Sequence, residues 1–193
     1  MTSTPHDPDA GKTELGEPVS ECLVPDSCTW PIVLGVDPGT HVMGYGALVM
    51  APDGPRLLIA GVLRAKRSDT VFERLATLSI AFDKILRQTR PTTVVIENAF
   101  AHKNPRTTIR LGEARGVVIA AAARKGAAIE EISPAEAKKR ITGNGNAAKS
   151  QVAAMVPLLL NLTGALDLAD DATDALALAL AFVRRDEVTR LLR

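Results

Sequence analysis

The sequence has little cysteine, no long apolar run and almost no net charge. Its two cysteines, Cys22 and Cys28, both lie near the N-terminus and do not form the disulfide framework of a small secreted domain. No stretch reaches the roughly 18 consecutive apolar residues that a membrane-spanning helix needs. The N-terminal residues are polar and acidic, unlike a secretory signal peptide. These absences predict a globular, cytoplasmic protein with no membrane segment.

The net charge of +1 is small for a protein that binds nucleic acid, but the charges are unevenly distributed. Residues 1–29 contain six acidic residues against one lysine, whereas residues 102–149 contain ten Lys and Arg residues against four Glu residues. A localised basic surface is expected of a protein that binds the phosphate backbone. A solvated helix face would give the same count, so charge alone leaves both interpretations open.

The pattern along the chain predicts one ordered domain, residues 31–185, between a disordered acidic extension, residues 1–30, and a short tail, residues 186–193. Apolar runs and turn residues predict an antiparallel meander of three strands over 32–65, then strands near 92–96 and 127–132. Helical spacing predicts helices from 71 to a stop at Pro91, then over about 107–124, 134–141, 146–160 and 170–183, with Asn146 capping the fourth. This order predicts an α/β domain with a mixed five-stranded sheet flanked by helices.

Four acidic residues stand where a carboxylate is costly unless something compensates its charge. Asp37 and Glu97 each follow an apolar strand, and if those strands are neighbours their backbones lie about 4.8 Å apart. Asp171 and Asp174 are three residues apart and so share one face of the last predicted helix. Four converging carboxylates suit Mg²⁺ or Mn²⁺, and two such ions about 3.5–4 Å apart promote phosphodiester hydrolysis.

Each acidic residue also has an ordinary structural explanation. Asp37 precedes Pro38-Gly39 and could simply start a turn. Asp171 and Asp174 near a helix N-terminus would be favourable to the helix dipole without any metal. Glu97, after Val-Val-Ile, is harder to explain in this way. The joint pattern therefore indicates a metal site more strongly than any single residue does.

Several motifs resemble those of the RuvC family of Holliday-junction resolvases, in the family's order, from about residue 32 to 184. They are LGVDPGT at 34–40, GYG at 44–46, IENAF at 96–100, KNP at 103–105, LGEARG at 111–116, KK at 138–139, TGNG at 142–145 leading into KSQV at 149–152, and DATDALA at 171–177. The resemblance implies a ribonuclease-H-like fold and a homodimeric, Mg²⁺-dependent endonuclease that cuts four-way DNA junctions. Phe182 departs from the pattern, because many members carry a histidine there, and some members use His in place of Asp171.

The resemblance also implies roles for individual residues. Asp37, Glu97, Asp171 and Asp174 become the catalytic, metal-binding acids, with two Mg²⁺ ions per site and Mn²⁺ as a substitute. Phe100 would stack on unpaired bases beside the scissile phosphate, although a core phenylalanine would also fit. Phosphate contacts are expected first from Lys138 and Lys149 and then from other residues of the basic block: Lys103, Arg106, Arg110 and Lys139, with Arg115 and Arg140 as weaker candidates.

The expected partners are four-way junction DNA, a second copy of the chain and the RuvA/RuvB branch-migration complex, the last by resemblance alone. A two-fold symmetric dimer matches the symmetry of the junction. Small apolar residues in the predicted helix 107–124 would let two helices approach closely, although an ordinary core helix would look alike.

Three other functions stay open on the sequence alone. Residues 37–40, Asp-Pro-Gly-Thr, also resemble the first phosphate loop of ATP-binding domains of the actin and hexokinase kind. A non-enzymatic junction-binding module and a nuclease acting on RNA–DNA hybrids or other branched DNA are the second and third. Residues 143–150 mimic a P-loop only superficially, because they lack the glycine before Lys149 and do not follow a predicted strand.

Overall fold

The computed structural model describes residues 29–98, 104–162 and 168–191, the side chains of 186–191 excepted. It contains five strands and five helices in the predicted order. The strands are β1 Ile32–Asp37, β2 Val42–Ala51, β3 Gly54–Arg64, β4 Thr93–Glu97 and β5 Ala128–Ile132. The helices are α1 Val71–Thr89, α2 Pro105–Arg124, α3 Pro134–Thr142, α4 Lys149–Leu159 and α5 Asp170–Leu191.

All five strands belong to one mixed sheet, in the order β3-β2-β1-β4-β5. Strands β1, β2 and β3 are antiparallel neighbours, whereas β4 pairs in parallel with both β1 and β5. The carboxyl ends of β1, β3, β4 and β5 therefore meet at one edge of the sheet, which we call the carboxyl edge. The arrangement confirms the predicted α/β fold with a five-stranded mixed sheet between helices.

Each face of the sheet is covered by its own apolar cluster. On one face, helices α1 and α2 pack on the sheet through residues that include Leu78, Phe82 and Val118, against strand residues such as Leu34 and Val94. On the other face, α3, α4 and α5 contribute residues that include Ile141, Val152, Leu176 and Leu180, against Val33 and Val95. Alternate residues of a strand thus face opposite helices, as the pleat requires.

Helix α5 lies close against the sheet because β1 and β2 have glycine where the helix crosses them. A Cβ atom on Gly35 would lie 1.9 Å from the carbonyl oxygen of Ala175, and one on Gly44 would lie 2.0 Å from the carbonyl oxygen of Asp171. Any side chain at either position would push the helix away. The two glycines therefore hold the first turns of α5 against the strands at the carboxyl edge.

Burial on several sides explains why α5 is only weakly amphipathic. Residues 175–181 are all buried, because the helix contacts β1 and β2 on one side and α3 and α4 on the other. A helix that is buried nearly all round carries apolar residues nearly all round. None of the helices in the described part of the chain is long and apolar enough to cross a membrane.

Two predicted helix boundaries were wrong. Helix α4 is preceded by Ala148 as its N-cap, and the Gln151 side chain accepts a hydrogen bond of 2.8 Å from the Ala148 amide. Asn146 instead lies in the preceding turn, where its amide donates to Asn144 Oδ1 at 2.9 Å. Helix α5 continues past the predicted end near Val183 to Leu191, so most of the predicted tail is helical.

Candidate active site

Two acidic side chains lie next to each other at the carboxyl edge, because they end neighbouring strands. Asp37 is the last residue of β1 and Glu97 the last residue of β4, and the parallel register pairs Val36 with Ile96. Both side chains project toward α5, because Asp37 is two residues after Gly35 and Glu97 two residues after Val95, both of which face that side. Strands β1 and β4 are therefore neighbours, which is the condition under which Asp37 and Glu97 can share one site.

The first turns of α5 bring two further carboxylates to the same place. Burial, and after it the negative charges of Asp174, Asp171 and Glu97, together raise the pKa of the Asp37 carboxyl from 3.8 to about 7, against a smaller opposing effect of Lys149. Burial and the charge of Asp174 also raise the pKa of Glu97. The electrostatic effect of each acid on Asp37 indicates that all four sequence-predicted acids lie within interaction range of one point.

A lysine from α4 partly balances these charges. Lys149 Nζ lies 2.8 Å from Asp174 Oδ2 and 3.7 Å from Asp170 Oδ2. The hydrogen bond to Asp174 raises the pKa of Lys149, so its ammonium group stays charged. A cleft of about 220 Å³ opens beside this pair, lined among others by Glu97 and Lys138. The cleft thus combines carboxylates with two lysines.

The residues present fit a hard divalent cation, although they do not form a closed ligand cage. Within residues 29–98, 104–162 and 168–191, no three His, Cys, Asp or Glu side chains are drawn together as tightly as in a formed metal site. The candidate donors are all carboxylate oxygens, the ligands that Mg²⁺ prefers. The raised pKa of Asp37 shows that its charge is poorly compensated, and a bound cation would supply that compensation.

Arg115 of α2 is tied to the strand end that carries Glu97. Its guanidinium group donates to the Glu97 backbone carbonyl and forms an ion pair of 2.8 Å with Glu131, and its side chain is only 13% exposed. The positive charge of Arg115 also acts to lower the pKa of Glu97, against burial and Asp174. Arg115, a weaker candidate for phosphate contact in the sequence, is therefore better placed to position Glu97.

If the chain is the nuclease that its motifs imply, we expect Arg115→Ala to slow cleavage by roughly 10–100-fold, the usual cost of losing a group that orients a metal ligand. The variant should also need more metal for half-maximal activity, and it should lose about 1–3 kcal/mol of stability because the Glu97 carbonyl and Glu131 lose their donor. Metal titration of cleavage and thermal melting measure both effects. Arg124→Ala is the control. Arg124 lies on the same helix, but its side chain is exposed, and its guanidinium group lies 3.6 Å from Asp83 Oδ1, beyond hydrogen-bond distance. A metal requirement and cleavage rate unchanged from wild type would contradict a positioning role.

The other predicted DNA contacts lie in different environments. Lys138 lines the cleft, and Lys139 is exposed beside it on α3. Arg106 is exposed in the first turn of α2, whereas Arg110 forms an ion pair of 2.9 Å with Glu113. Phe100 and Lys103 lie outside the described residues. Arg140, the other weaker candidate, donates to the Ala181 carbonyl at 3.0 Å, and this bond links α3 to α5. Its guanidinium group also pairs with Glu136 of the same helix.

The sequence reasoning missed the residues that hold the acids in place. Gly35 and Gly44 could have been noticed, because a glycine inside a strand often marks a close backbone approach. Arg115 offered a weaker signal: it directly follows Ala114, which shares the buried face of α2 with Val118. Its place within the basic block predicts a weak phosphate contact instead.

Comparison with known proteins identifies the family. A family model described as crossover junction endodeoxyribonuclease RuvC matches residues 33–182. The RuvC protein of Alkalilimnicola ehrlichii is 37% identical over 163 residues, covering 84% of this chain and 97% of that protein. That of Rhodopirellula baltica is 40% identical over 151 residues, covering 77% of this chain and 83% of that protein.

Solved structures agree with the sequence comparison. Thermus thermophilus RuvC in complex with Holliday junction substrate superposes with a TM-score of 0.75 at 29% identity, covering 82% of this chain and 96% of that chain. The yeast mitochondrial Holliday junction resolvase Ydc2 has a TM-score of 0.59 at 18% identity, with 86% of this chain and 84% of that chain covered, and shares the fold. This chain belongs to the RuvC family of crossover junction endodeoxyribonucleases.

Proposed function

We propose that the chain resolves four-way (Holliday) DNA junctions in recombination and DNA repair, by paired symmetric phosphodiester hydrolysis that depends on metal ions. The products would carry 5′-phosphate and 3′-hydroxyl ends. One observation carries the proposal: four acids meet at the carboxyl edge, where burial and their own repulsion raise the pKa of Asp37 to about 7. So much poorly compensated negative charge favours divalent cations. The solved RuvC complex with a Holliday junction supports the choice of substrate.

Nucleases of the RuvC family are metal-dependent, and we infer that the ion is Mg²⁺, with Mn²⁺ as a substitute. Two ions per site would be held by the carboxylates of Asp37, Glu97, Asp171 and Asp174. When bound, such ions activate a water and stabilise the charge on the leaving 3′-oxygen. The protein's own part is to hold the four acids ready, two at strand ends and two on a helix pressed against the sheet.

The lysines of the cleft are suited to the phosphate that is cut. Lys138 and Lys149 line the cleft with Glu97 and Asp174, and a positive charge there stabilises the charge that develops on the phosphate in the transition state. We infer weaker backbone contacts from the predicted residues Lys103, Arg106, Arg110 and Lys139. Phe100 is proposed, by family resemblance, to stack on unpaired bases beside the cut.

The outer face of α2 supports a homodimer. Ala114, Val118, Ala121 and Ala122 are buried inside the protomer, so these residues do not serve an interface. An exposed stripe of small and apolar residues runs along the opposite side, made of Ile109, Gly112, Gly116, Ala120 and Ala123. A Cβ on Gly112 or Gly116 would meet no atom within 4 Å, so nothing inside the protomer requires glycine there. Small residues at helical spacing let a second α2 helix approach closely, and paired active sites then match the two-fold symmetry of the junction.

We expect Gly116→Arg to weaken dimerisation by at least about 100-fold, because the long side chain would hold the two helices apart. The fold should survive, since replacing an exposed helical glycine gains up to about 1 kcal/mol of helix propensity. Light scattering after size-exclusion chromatography gives the mass, and paired cuts in the junction should become single nicks. Ala76→Arg, on the exposed side of α1, is the matched control. A Gly116→Arg variant that still runs as a dimer would place the interface elsewhere.

Two further proposals rest on the family alone. We propose that the RuvA/RuvB branch-migration complex is a partner, and that the protein acts in the cytoplasm.

The proposed function is tested on the purified full chain with labelled substrates. A synthetic four-way junction, a linear duplex of the same sequence and an RNA–DNA hybrid are each incubated with Mg²⁺, Mn²⁺ or EDTA. Symmetric cuts in the junction alone, lost with EDTA, are the expected result. Equal cutting of the linear duplex, or cutting of the hybrid in place of the junction, would overturn the substrate assignment.

A further inference from the structure

A second group of cations lies at the carboxyl edge, outside the family motifs and outside the basic block 102–149. Arg64 is the last residue of β3, and Lys66 and Arg67 follow it in the turn that leads to α1. All three residues are exposed. Within the described ranges, no hydrogen bond or ion pair engages their side chains. We call these three residues the β3-edge basic cluster.

The acidic residues nearest in sequence form no ion pair with this cluster among the described residues. Asp69 accepts a hydrogen bond from Ser68 at 3.4 Å. Glu73 accepts from the Thr70 amide at 2.7 Å and from its hydroxyl at 2.8 Å, as part of the capping box of α1. Both carboxylates therefore hydrogen-bond to neighbouring residues and not to Arg64, Lys66 or Arg67.

One more basic side chain, that of Arg74, extends the positive surface toward the acids. Arg74 is half-buried and donates to the carbonyl oxygen of Thr40 at 3.0 Å, in the loop that follows Asp37. His41 is exposed next to this loop, and its pKa is lowered by slight desolvation and then by the charges of Arg74 and Arg67. These effects place Arg67 and Arg74 around one point beside the loop.

The strand register gives the distance from this cluster to the candidate active site. Asp37 pairs with Gly44 across to β2, Gly44 pairs with Val62 of β3, and Arg64 lies two residues beyond Val62. Two strand spacings and two residues along a strand separate the Cα atoms of Asp37 and Arg64 by roughly 12 Å. Arg64 also lies on the α5 side of the sheet, because it alternates in step with Ala60, which packs in the α5 cluster.

We propose that the β3-edge basic cluster binds the phosphate backbone of one junction arm, within a few nucleotides of the scissile phosphate. The roughly 12 Å between the Cα atoms of Asp37 and Arg64 is short enough for the long side chains of the cluster to reach a phosphate close to the scissile one. The inference rests on the proposed function and adds a second anchoring point to it. Lys138 lines the cleft from α3, the helix that follows β5, whereas the β3-edge basic cluster lies at the β3 side of the sheet. The two groups would therefore hold the cut strand at two separate points.

A contact of this kind contributes to affinity and register but not to the chemical step. Each phosphate contact releases counterions, which steepens the dependence of log K on log salt by about 0.9 for each contact. Removing Lys66 and Arg67 should therefore weaken binding and flatten the salt dependence. Cleavage of junction that is already bound should keep the wild-type rate, because neither side chain belongs to the acid cleft.

The test uses the full chain with Lys66→Ala and Arg67→Ala combined, and a fluorescent four-way junction titrated in EDTA over a range of KCl concentrations. The slope of log K against log salt should fall by about 1–2, with single-turnover cleavage at saturating enzyme and Mg²⁺ unchanged. The matched control combines Lys84→Ala and Arg87→Ala, an exposed Lys and Arg on α1 toward the opposite edge of the sheet, and should leave the slope unchanged. Arg64→Ala, made separately, should flatten the slope by about 1.

Ethylation interference locates the contact. Ethylated phosphates within a few nucleotides of the cut should impair binding of the wild type and have no effect on the Lys66→Ala/Arg67→Ala variant. An unchanged salt slope with an unchanged interference pattern would overturn the inference. That failure differs from failure of the proposed function, in which the wild-type protein would itself leave the junction uncut.

Discussion

Asp37→Asn is expected to reduce junction cleavage by about 10³-fold or more while leaving junction binding nearly intact. The substitution keeps the shape of the side chain but removes the negative charge from the acid on which the other three converge. A metal site loses both a ligand and the charge that attracts the ion, and the transition state loses that stabilisation. DNA affinity should stay equal or rise slightly, because one negative charge near the phosphates is gone.

Single-turnover cleavage and binding in EDTA, measured on the same junction, separate the two effects. Asp53→Asn is the matched control, because Asp53 is exposed in the β2–β3 hairpin, at the edge of the sheet far from the acids, and pairs only with Arg56 among the described residues. It should cut at the wild-type rate. Normal cutting by Asp37→Asn would remove the acid cluster from the active-site assignment. Equal loss of binding and cutting would mean that the substitution disturbs the DNA surface.

The sequence predicted the elements of this fold because their signals are local. Apolar runs that end in Asp37 and Glu97 became β1 and β4, and proline marked the end of α1 and the start of α3. Whether the two strands are neighbours depends on pairing between distant segments, which periodicity alone does not specify. The motif resemblance supplied that pairing, and the register of Val36 with Ile96 confirms it.

The errors have physical causes in tertiary structure. Asn146 is a good N-cap residue by type, yet the chain makes another turn first, and Gln151 caps the Ala148 amide instead. Arg115 was predicted as a weak phosphate contact because the sequence does not show that α2 packs it against Glu97 and Glu131. The sequence analysis did not single out the β3-edge basic cluster, because only the pairing of β3 with β2 and of β2 with β1 brings Arg64 to the edge that carries the acids.

The metal-free protein should be destabilised by its own active site. Asp37 has a pKa of 3.8 when exposed and about 7 in the folded chain, so the folded state binds its proton more tightly. Stability is therefore highest below about pH 4 for this group and falls as the pH rises through 7. The rise of the Asp37 pKa from 3.8 to about 7 corresponds to at most about 4 kcal/mol of stability. Asp37→Asn should melt at a higher temperature than the wild type in EDTA at pH 8, and at a similar temperature near pH 4.

The same pKa sets the pH dependence of cleavage at limiting Mg²⁺. A carboxylate must lose its proton before it binds a metal ion, so metal affinity should fall about tenfold for each pH unit below 7. The raised pKa of Glu97 acts in the same direction. Cleavage at limiting Mg²⁺ should therefore drop roughly 100-fold between pH 7 and pH 5, and a large excess of Mg²⁺ should move the midpoint to lower pH, because the ion competes with the proton. Initial rates across this range at two Mg²⁺ concentrations measure both effects. A midpoint near 4 that Mg²⁺ does not move would show that Asp37 titrates as an ordinary exposed acid and does not hold the metal.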